Sequence, residues 1–375
     1  MTTTEKLLRD LIALPSVNPA FLPGNAARTG ERRVADFLAT AARRAGLDVK
    51  FQTVFPGRAN LLARLSPRGK ARRRILLAPH LDTVNATEDQ FTPRTRNGRL
   101  YGRGACDTKG SVAAMFTALC EVARSRQRPA ETEILFAGLV DEENGQNGSR
   151  ALAASGLKAD LAIVGEPTGC RVVTAHKGNL WLRLETHGKS AHGARPELGR
   201  NAVHAMARVV DLLETEYASN LRRRRHVLLG RPTVNVGVIS GGTQANIIPD
   251  SCAILVDRRT LPEETERLVR REIKALLRKH RLQATLGNDK LGACLPLETD
   301  LKTPLVAQFM KSVGQRRPAG VDYFCDASVL AHGGIPSVVF GPGDIAQAHT
   351  PDEWVTLAEL ERAQALLTRF LTSLP

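Results

Sequence analysis

The sequence has few aromatic residues, no closely paired cysteines and no long apolar run, and each absence excludes a class of protein. Aromatic side chains make up 4% of the chain, which leaves little for nucleic-acid bases to stack on. The six cysteines form no CxxC pair and indicate reduced, mostly buried thiols. No stretch reaches the roughly 18 apolar residues of a membrane-spanning helix. Charges interrupt the apolar positions of residues 1–19, unlike a signal peptide. We therefore expect a cytoplasmic protein without a membrane partner.

The net charge of +15 raises the alternative of a nucleic-acid-binding protein. The basic residues are scattered, however, with local runs only at 72–74 and 222–225. This distribution favours a solvated arginine-rich surface, and we expect no nucleic-acid partner. The positive net charge also predicts a weak preference for anionic substrates.

A length of 375 residues suits two domains. Three apolar stretches, at 75–83, 133–143 and 161–167, read as buried strands that end in charged residues, with helical patterns between them. Alternating strands and helices predict an α/β fold with a mostly parallel sheet. Ligand sites in such sheets lie beyond the carboxyl ends of the strands.

The middle of the chain follows a different pattern. From 180 to 288 the order of alternating strands and helical segments is βαββαβ, which matches a ferredoxin-like domain. We therefore predict a domain at 180–288 that is inserted between residues 1–179 and 289–375. The two flanking segments would form the first domain together.

Histidines and acids occur at the predicted strand ends. His80 and Asp82 are two residues apart and point to the same side of a strand. Asp82 could therefore bind one imidazole nitrogen of His80 while the other nitrogen binds a metal. A strand-end histidine beside a turn aspartate, without a metal, is the alternative for this pair.

Five other candidate residues are ambiguous when each is taken alone. Asp107 lies in a glycine-rich loop that lacks the spacing of a phosphate-binding P-loop, and it could be only a helix N-cap. Glu142 and Glu143 are adjacent acids after an apolar strand, which are costly to desolvate unless a cation is near. A solvated acidic turn is the alternative. Glu166 repeats the arrangement after the next strand, and His349 is an isolated loop histidine.

The combination is more informative than its parts. His80, Asp107, Glu143, Glu166 and His349 supply two imidazoles and three carboxylates, which suit Zn²⁺, Co²⁺ or Mn²⁺. Five protein ligands can hold two metals if one carboxylate bridges them. Such a pair of metals activates water and stabilises a developing oxyanion.

Six strings resemble the motifs of the M20 metallopeptidases, in the expected order and over nearly the whole chain: HLDTV, GRGACDTKG, DEENG, GEPTG, SAHGARPELGRNAV and AHTPDEW. The resemblance is to the group of acetylornithine deacetylases and succinyl-diaminopimelate desuccinylases in particular. It implies a zinc-peptidase-like catalytic domain, with the inserted domain as lid and dimerisation domain.

The resemblance also implies a role for each matching residue in the metal site. Asp107 would bridge two metals, His80 and Glu166 would complete one site, and Glu143 and His349 the other. Glu142 would be the general base and Asp82 would support His80. A cis peptide bond would join Asp107 to Thr108.

Further implied roles concern the inserted domain. His192 would stabilise the oxyanion, and Asn246 and Arg259 would hold the substrate carboxylate, with Arg258 as a rival for Arg259. The lids of a homodimer would pair across a two-fold axis, and each would offer His192 to its partner's site.

The expected function is hydrolysis of the amide bond of an N-acyl amino acid by water activated at two divalent metal ions. Zn²⁺ is the first expectation, and Co²⁺ or Mn²⁺ are alternatives. A dipeptidase or carboxypeptidase of the same family, a basic nucleic-acid-binding protein and a non-catalytic metal-binding scaffold are the alternative functions. The presence of Glu142 argues against the scaffold.

Overall fold

The computed structural model describes residues 1–289 and 293–375. Residues 290–292, near the start of the predicted segment 289–375, lie outside the described residues. The helices are α1 Thr3–Ile12, α2 Arg32–Arg44, α3 Lys109–Arg124, α4 Asn147–Ala154, α5 Ala202–Leu212, α6 Ala218–Arg222, α7 Glu266–Lys279, α8 Pro304–Ser312, α9 Asp326–His332 and α10 Leu357–Thr372. The strands are β1 Asp48–Phe55, β2 Arg58–Leu65, β3 Arg73–Pro79, β4 Arg94–Arg96, β5 Arg99–Tyr101, β6 Thr132–Gly138, β7 Leu161–Gly165, β8 Val173–His176, β9 Gly178–His187, β10 Thr233–Gly241, β11 Ser251–Thr260, β12 Thr285–Asn288, β13 Leu297–Glu298, β14 Ala319–Val321, β15 Ser337–Val339 and β16 Trp354–Thr356.

The chain divides into two compact units. The first unit consists of Met1–Thr174, Thr299–Ala319 and Cys325–Pro375, and the second of Ala175–Glu298 and Gly320–Phe324. The limits predicted from the sequence, 180 and 288, both fall inside the second unit. The first unit is therefore assembled from segments that are distant in the sequence.

A sheet with the strand order β1-β2-β6-β3-β7-β15-β8 forms the first unit's centre. Its four middle strands, β6, β3, β7 and β15, are parallel, whereas β1, β2 and β8 pair antiparallel. The middle strands are apolar runs, and β6 and β7 are buried along their whole length, as expected for strands with both faces covered. The predicted α/β fold with a mostly parallel central sheet is confirmed.

The second unit contains an antiparallel sheet with the order β10-β11-β9-β12. Residues of β9 and β11 alternate between buried and more exposed positions, so each strand gives one face to the core. Apolar residues of α5 and α7 pack into the same core. The predicted βαββαβ order is confirmed. Helix α7 begins at Glu266, four residues after Pro262, because the side chain of Thr265 caps the first turn.

Two expectations about composition can be compared with the described residues. Across those parts of the chain, no helix is both long and apolar enough to cross a membrane. None of the six cysteines forms a disulfide bond, and Cys106, Cys170, Cys252 and Cys325 are buried. The expectation of mostly buried thiols is confirmed.

Candidate metal centre

The carboxyl ends of three neighbouring strands bring the predicted acids and His80 to one edge of the first unit's sheet. His80 directly follows β3, and Glu166 directly follows β7. Glu142 and Glu143 follow β6 after a short extension, in which Leu139 pairs with His80. Since β6, β3 and β7 are parallel neighbours, their ends meet at the edge where ligand sites of such sheets occur.

Two loops add Asp107 and His349. Oδ1 of Asp107 lies 3.0 Å from Nε2 of His80, and Oδ2 lies 3.3 Å from Nε2 of His349. Another carboxylate flanks each histidine. Oε1 of Glu166 is 3.8 Å from Nε2 of His80, and Oε2 of Glu143 is 3.1 Å from Nε2 of His349. The structure thus places all five predicted ligands in one cluster.

Asp82 is fully buried next to this cluster. Its carboxylate lies 3.4 Å from Nδ1 of His80, whose shorter contact, at 3.0 Å, is with the backbone oxygen of Asp82. The same carboxylate accepts hydrogen bonds from the backbone N–H of Glu142 at 3.1 Å and of Glu143 at 3.2 Å. Asp82 therefore also orients the turn of the two glutamates, which the sequence did not predict.

The loop before α3 determines where Asp107 points. Thr108 is the N-cap of α3, so the alternative in which Asp107 only caps this helix is wrong. The peptide bond between Asp107 and Thr108 is cis, as the family resemblance implied. The backbone N–H groups of Cys106 and Asp107 donate to Oε1 of Glu353, at 2.8 and 2.9 Å.

The three glutamates of the cluster are costly to ionise, because they are shielded from water. Burial raises the pKa of Glu142 and of Glu166 well above the usual range; His80 opposes this shift, and neighbouring carboxylates add to it. Burial and the charge of Asp107 raise the pKa of Glu143 to about 7. Ionising all three glutamates together is therefore unfavourable in this poorly solvated region.

The pKa values of the two histidines are raised as well, which for a histidine favours the charged form. Hydrogen bonds to Asp107 and Glu143 raise the pKa of His349 to about 10. Burial disfavours the charged form of His80, but contacts with Asp107 and Asp82 outweigh it and raise the pKa well above the usual value. The surrounding carboxylates therefore favour positive charge at both imidazoles.

The cluster fits divalent cations. Oε1 of Glu143 is buried and has no hydrogen-bond partner, which is costly for a carboxylate oxygen unless a cation contacts it. Among the described residues, two sets place their ligand atoms within 4.8 Å of one another: His80 with Asp107 and Glu143, and His80 with Glu142 and Glu166. Imidazole and carboxylate donors suit Zn²⁺, Co²⁺ and Mn²⁺.

The residues predicted to handle the substrate, His192, Asn246 and Arg259, lie in the second unit. His192 is exposed and pairs with Ile247. The N–H of Gly193 donates to the backbone oxygen of Asn246 at 2.7 Å. The segments that contain His192 and Asn246 are therefore adjacent on the surface of this unit.

The two candidate arginines of β11 differ in accessibility. The side chain of Arg259 is 32% exposed, and its Nε and Nη2 donate to the two carboxylate oxygens of Asp257 at 2.9 and 3.2 Å. The side chain of Arg258 is 0% exposed and donates to Glu264 and to the hydroxyl of Tyr217. Arg258 therefore has no free surface for a substrate, which leaves Arg259 as the candidate.

Sequence reasoning missed two buried acids of the first unit. Glu353 accepts hydrogen bonds from the loop of Asp107. Asp326 accepts one from Ser149, its Oδ2 has no partner, and burial raises its pKa to about 7. Neither acid belongs to a recognisable pattern of charged residues in the sequence. The one available signal was that Glu353 lies close to His349 in the string AHTPDEW.

The arrangement defines a class of protein, the metal-dependent hydrolases with a co-catalytic cluster of histidines and carboxylates. The chain belongs to Peptidase family M20/M25/M40, which it matches over residues 76–373. It is 31% identical to the acetylornithine deacetylase of Proteus mirabilis, over 99% of this chain and 96% of that protein.

Two solved structures share the fold. Aminopeptidase PepT of Bacillus cereus has a TM-score of 0.78 at 20% identity, covering 99% of this chain and 97% of that one. The YXEP protein of Bacillus subtilis, a dinuclear metal binding peptidase of the M20 family, has a TM-score of 0.70 at 13% identity, covering 99% and 97%. With the family match, these similarities identify the chain as a metal-dependent hydrolase.

Proposed function

We propose that this chain hydrolyses the amide bond of an N-acyl amino acid at a pair of divalent metal ions, with Zn²⁺ as the first choice and Co²⁺ or Mn²⁺ as alternatives. The observation that carries the proposal is the position of Asp107, whose two oxygens face His80 and His349 separately. A carboxylate in this position can be shared by two cations, one beside each histidine.

The five ligands divide into two groups around Asp107. His80 and Glu166 would complete one metal position, and Glu143 and His349 the other. When bound, the metals would lower the pKa of a water molecule and stabilise negative charge on the amide oxygen. Asp82 would keep His80 in place, because its contacts occupy the second imidazole nitrogen.

Glu142 would transfer the proton. Its backbone N–H is held by Asp82, and its raised pKa favours a carboxyl group that accepts and retains a proton. Glu142 would take the proton from the attacking water and give it to the leaving amine, so that a carboxylate and a free amino acid are released. The ligand atoms of Glu142, His80 and Glu166 lie within 4.8 Å of one another, so metal ligation is the competing role for Glu142. Metal analysis of Glu142→Gln distinguishes ligation from proton transfer.

The second unit, which contains the predicted domain 180–288, would act as lid and dimerisation domain. Arg259 and Asn246 would hold the substrate carboxylate. The 32% exposure of the Arg259 side chain supports this role, since an accessible guanidinium binds carboxylates well; its Nε and Nη2 would exchange Asp257 for the substrate. His192 would stabilise the oxyanion in the active site of the partner subunit of a homodimer.

Mixing two inactive variants tests the contribution of His192. We expect His192→Ala to retain its metals and lose turnover. Heterodimers of His192→Ala with Glu142→Gln should regain activity, because one of the two hybrid sites has both residues intact. Demonstrated heterodimers without activity, or a fully active monomer, would reject the exchange of histidines between subunits.

A hydrolysis screen tests the reaction itself. The name of the Proteus mirabilis relative makes N-acetylornithine the first substrate, beside N-acetyl and N-succinyl derivatives of other amino acids and a set of dipeptides. Each would be assayed with Zn²⁺, Co²⁺ or Mn²⁺, with Glu142→Gln as the control for contaminating activity. Cleavage confined to dipeptides would replace the deacylase by a dipeptidase or carboxypeptidase, and metal binding without any cleavage would favour the scaffold.

We also infer a cytoplasmic location. The absence of disulfide bonds among the six cysteines supports it, since thiols remain reduced in a reducing compartment. Fractionation of cells that produce the protein, followed by immunodetection, would test this part of the proposal.

A further inference from the structure

Glu353 has an unusual set of partners for a buried acid. It is 1% exposed, and each of its two carboxylate oxygens accepts two hydrogen bonds. Oε2 accepts from Nη1 of Arg103 at 2.7 Å and from the N–H of Gly104 at 3.0 Å. Oε1 accepts from the N–H groups of Cys106 and Asp107 at 2.8 and 2.9 Å. Four donors therefore occupy the acceptor positions of one carboxylate.

These bonds join two segments of the chain that are far apart in the sequence. Residues 102–107 contain Asp107, and residues 349–353 contain His349. Besides the carboxylate of Glu353, its backbone oxygen accepts from the N–H of Gly102 at 3.0 Å. Nη2 of Arg103 also donates to the backbone oxygen of Thr350 at 3.2 Å. The two segments are thus held together at several points, with Glu353 as their common partner.

The ligands of the two proposed metal positions are supported differently. The backbone of His80 pairs with that of Leu139 on the neighbouring strand extension, and Glu166 directly follows β7. The side chain of His349 is 54% exposed, and it lies in a loop. Its position relative to Asp107 therefore depends on what attaches this loop to residues 102–107.

We propose that Glu353 is a positioning residue that fixes Asp107 relative to His349 and thereby sets the affinity of one of the two metal positions. This inference rests on the proposed two-metal function. Asp107 is also held next to Thr108, whose hydroxyl donates to the backbone oxygen of Gly165 at 3.0 Å. Loss of Glu353 should therefore displace the segment of His349 more than Asp107 and weaken the position of Glu143 and His349 more than that of His80 and Glu166.

The chemistry of Glu353 explains why a carboxylate is needed. All four of its partners are donors, so each oxygen must accept. Glutamine has the same shape, but its NH₂ group would face N–H donors and leave two of them unpaired. Glu353→Gln therefore removes the function of the side chain with little change of volume.

The experiment compares Glu353→Gln with Glu264→Gln. Glu264 is a matched control, because it is also buried and accepts from Arg224, Arg258 and the N–H of Leu261, but it lies in the second unit. Each protein would be dialysed against buffered Zn²⁺ and its metal content measured. Titration of the metal-free proteins with Co²⁺, followed by visible absorption, would give the affinities of the two positions.

We expect Glu353→Gln to bind one metal as the wild type does and the second about 10- to 100-fold more weakly, the range typical for residues that orient metal ligands. Amide hydrogen exchange at residues 104–107 should be faster, and excess metal should restore turnover. Glu264→Gln should bind both metals normally. Two metals bound with wild-type affinity, or equal weakening of both, would overturn the inference.

Two further results separate this inference from other failures. A wild-type protein that binds no pair of metals would refute the proposed function itself, whatever Glu353 does. If Glu353→Gln does not fold, Glu353→Asp provides the same test, because it keeps the carboxylate but withdraws it by one methylene from the N–H groups of Cys106 and Asp107. Glu353→Asp should weaken the same metal position, and unchanged affinity would then overturn the inference.

Discussion

Both units contain a cluster of buried charged side chains, and the two clusters differ in how positive and negative groups are balanced. In the second unit, Arg258 contacts Glu264, and Arg224 contacts both Glu264 and Glu272. In the first unit, two histidines face an excess of acids at the strand ends: Asp82, Asp107, Glu142, Glu143, Glu166 and Asp326. In the cluster of the second unit each charged group has a partner of opposite sign, whereas the cluster of the first unit contains more acids than basic groups.

This difference separates a structural role from a functional one. A buried ion pair with all its partners supports one folded arrangement, and removing one partner is costly. Carboxylates with raised pKa values that share one cleft are instead typical of functional sites. Their mutual repulsion lowers the stability of the metal-free protein, and bound cations remove it.

The largest expected effect concerns the two adjacent glutamates of the first unit. Glu142→Gln should retain both metals and lose turnover by about 10²- to 10⁴-fold, because proton transfer is removed. Glu143→Gln should weaken metal binding instead. Steady-state kinetics and metal analysis of both variants check this, and the reverse pattern would exchange the two roles.

The balanced cluster of the second unit is expected to respond in stability. Arg258→Met should lower the free energy of unfolding by about 3–5 kcal/mol, because Glu264 loses one of its buried partners. Arg259→Met, on the neighbouring residue, is the control and should cost about 1 kcal/mol or less, since its ion pair is partly exposed. Chemical denaturation measures both, and equal losses would contradict the distinction between the two arginines.

Metal binding is expected to stabilise the protein. At a free Zn²⁺ concentration about 100-fold above the dissociation constant, the free energy of unfolding should rise by about 2.7 kcal/mol per site. Denaturation of the same preparation with and without Zn²⁺ measures the change, with His80→Ala as the control that should show little of it. No stabilisation by any of Zn²⁺, Co²⁺ or Mn²⁺ would contradict a metal requirement.

The smallest effect has the opposite sign from most substitutions of buried residues. In the metal-free protein, Glu166→Gln should raise the free energy of unfolding by about 1 kcal/mol, because folding no longer has to hold a buried carboxyl group away from its usual ionised state. The same change should weaken metal binding. A loss of stability in the metal-free protein would contradict this expectation, because it would show that neighbouring groups compensate the cost of burying the Glu166 carboxyl group.

The pattern of apolar residues predicted most of the fold. Continuous apolar runs indicated the buried parallel strands β3, β6 and β7, and the alternation in β9 indicated the half-buried antiparallel sheet. These periods reflect which faces of a strand are covered, and neighbouring residues suffice to show them. The start of α7 at Glu266 depends on the cap formed by Thr265, a single side-chain hydrogen bond that the apolar pattern does not show.

The sequence by itself determined which chemical groups are available: two imidazoles and several carboxylates after apolar strands, in the order of the M20 motifs. Only the tertiary structure decided how they are combined. It turned Asp107 toward both His80 and His349, buried Arg258 while leaving Arg259 accessible, and placed Glu353 against the loop of Asp107. Those contacts join residues up to 246 positions apart, and their geometry depends on the packing of the whole unit rather than on local spacing.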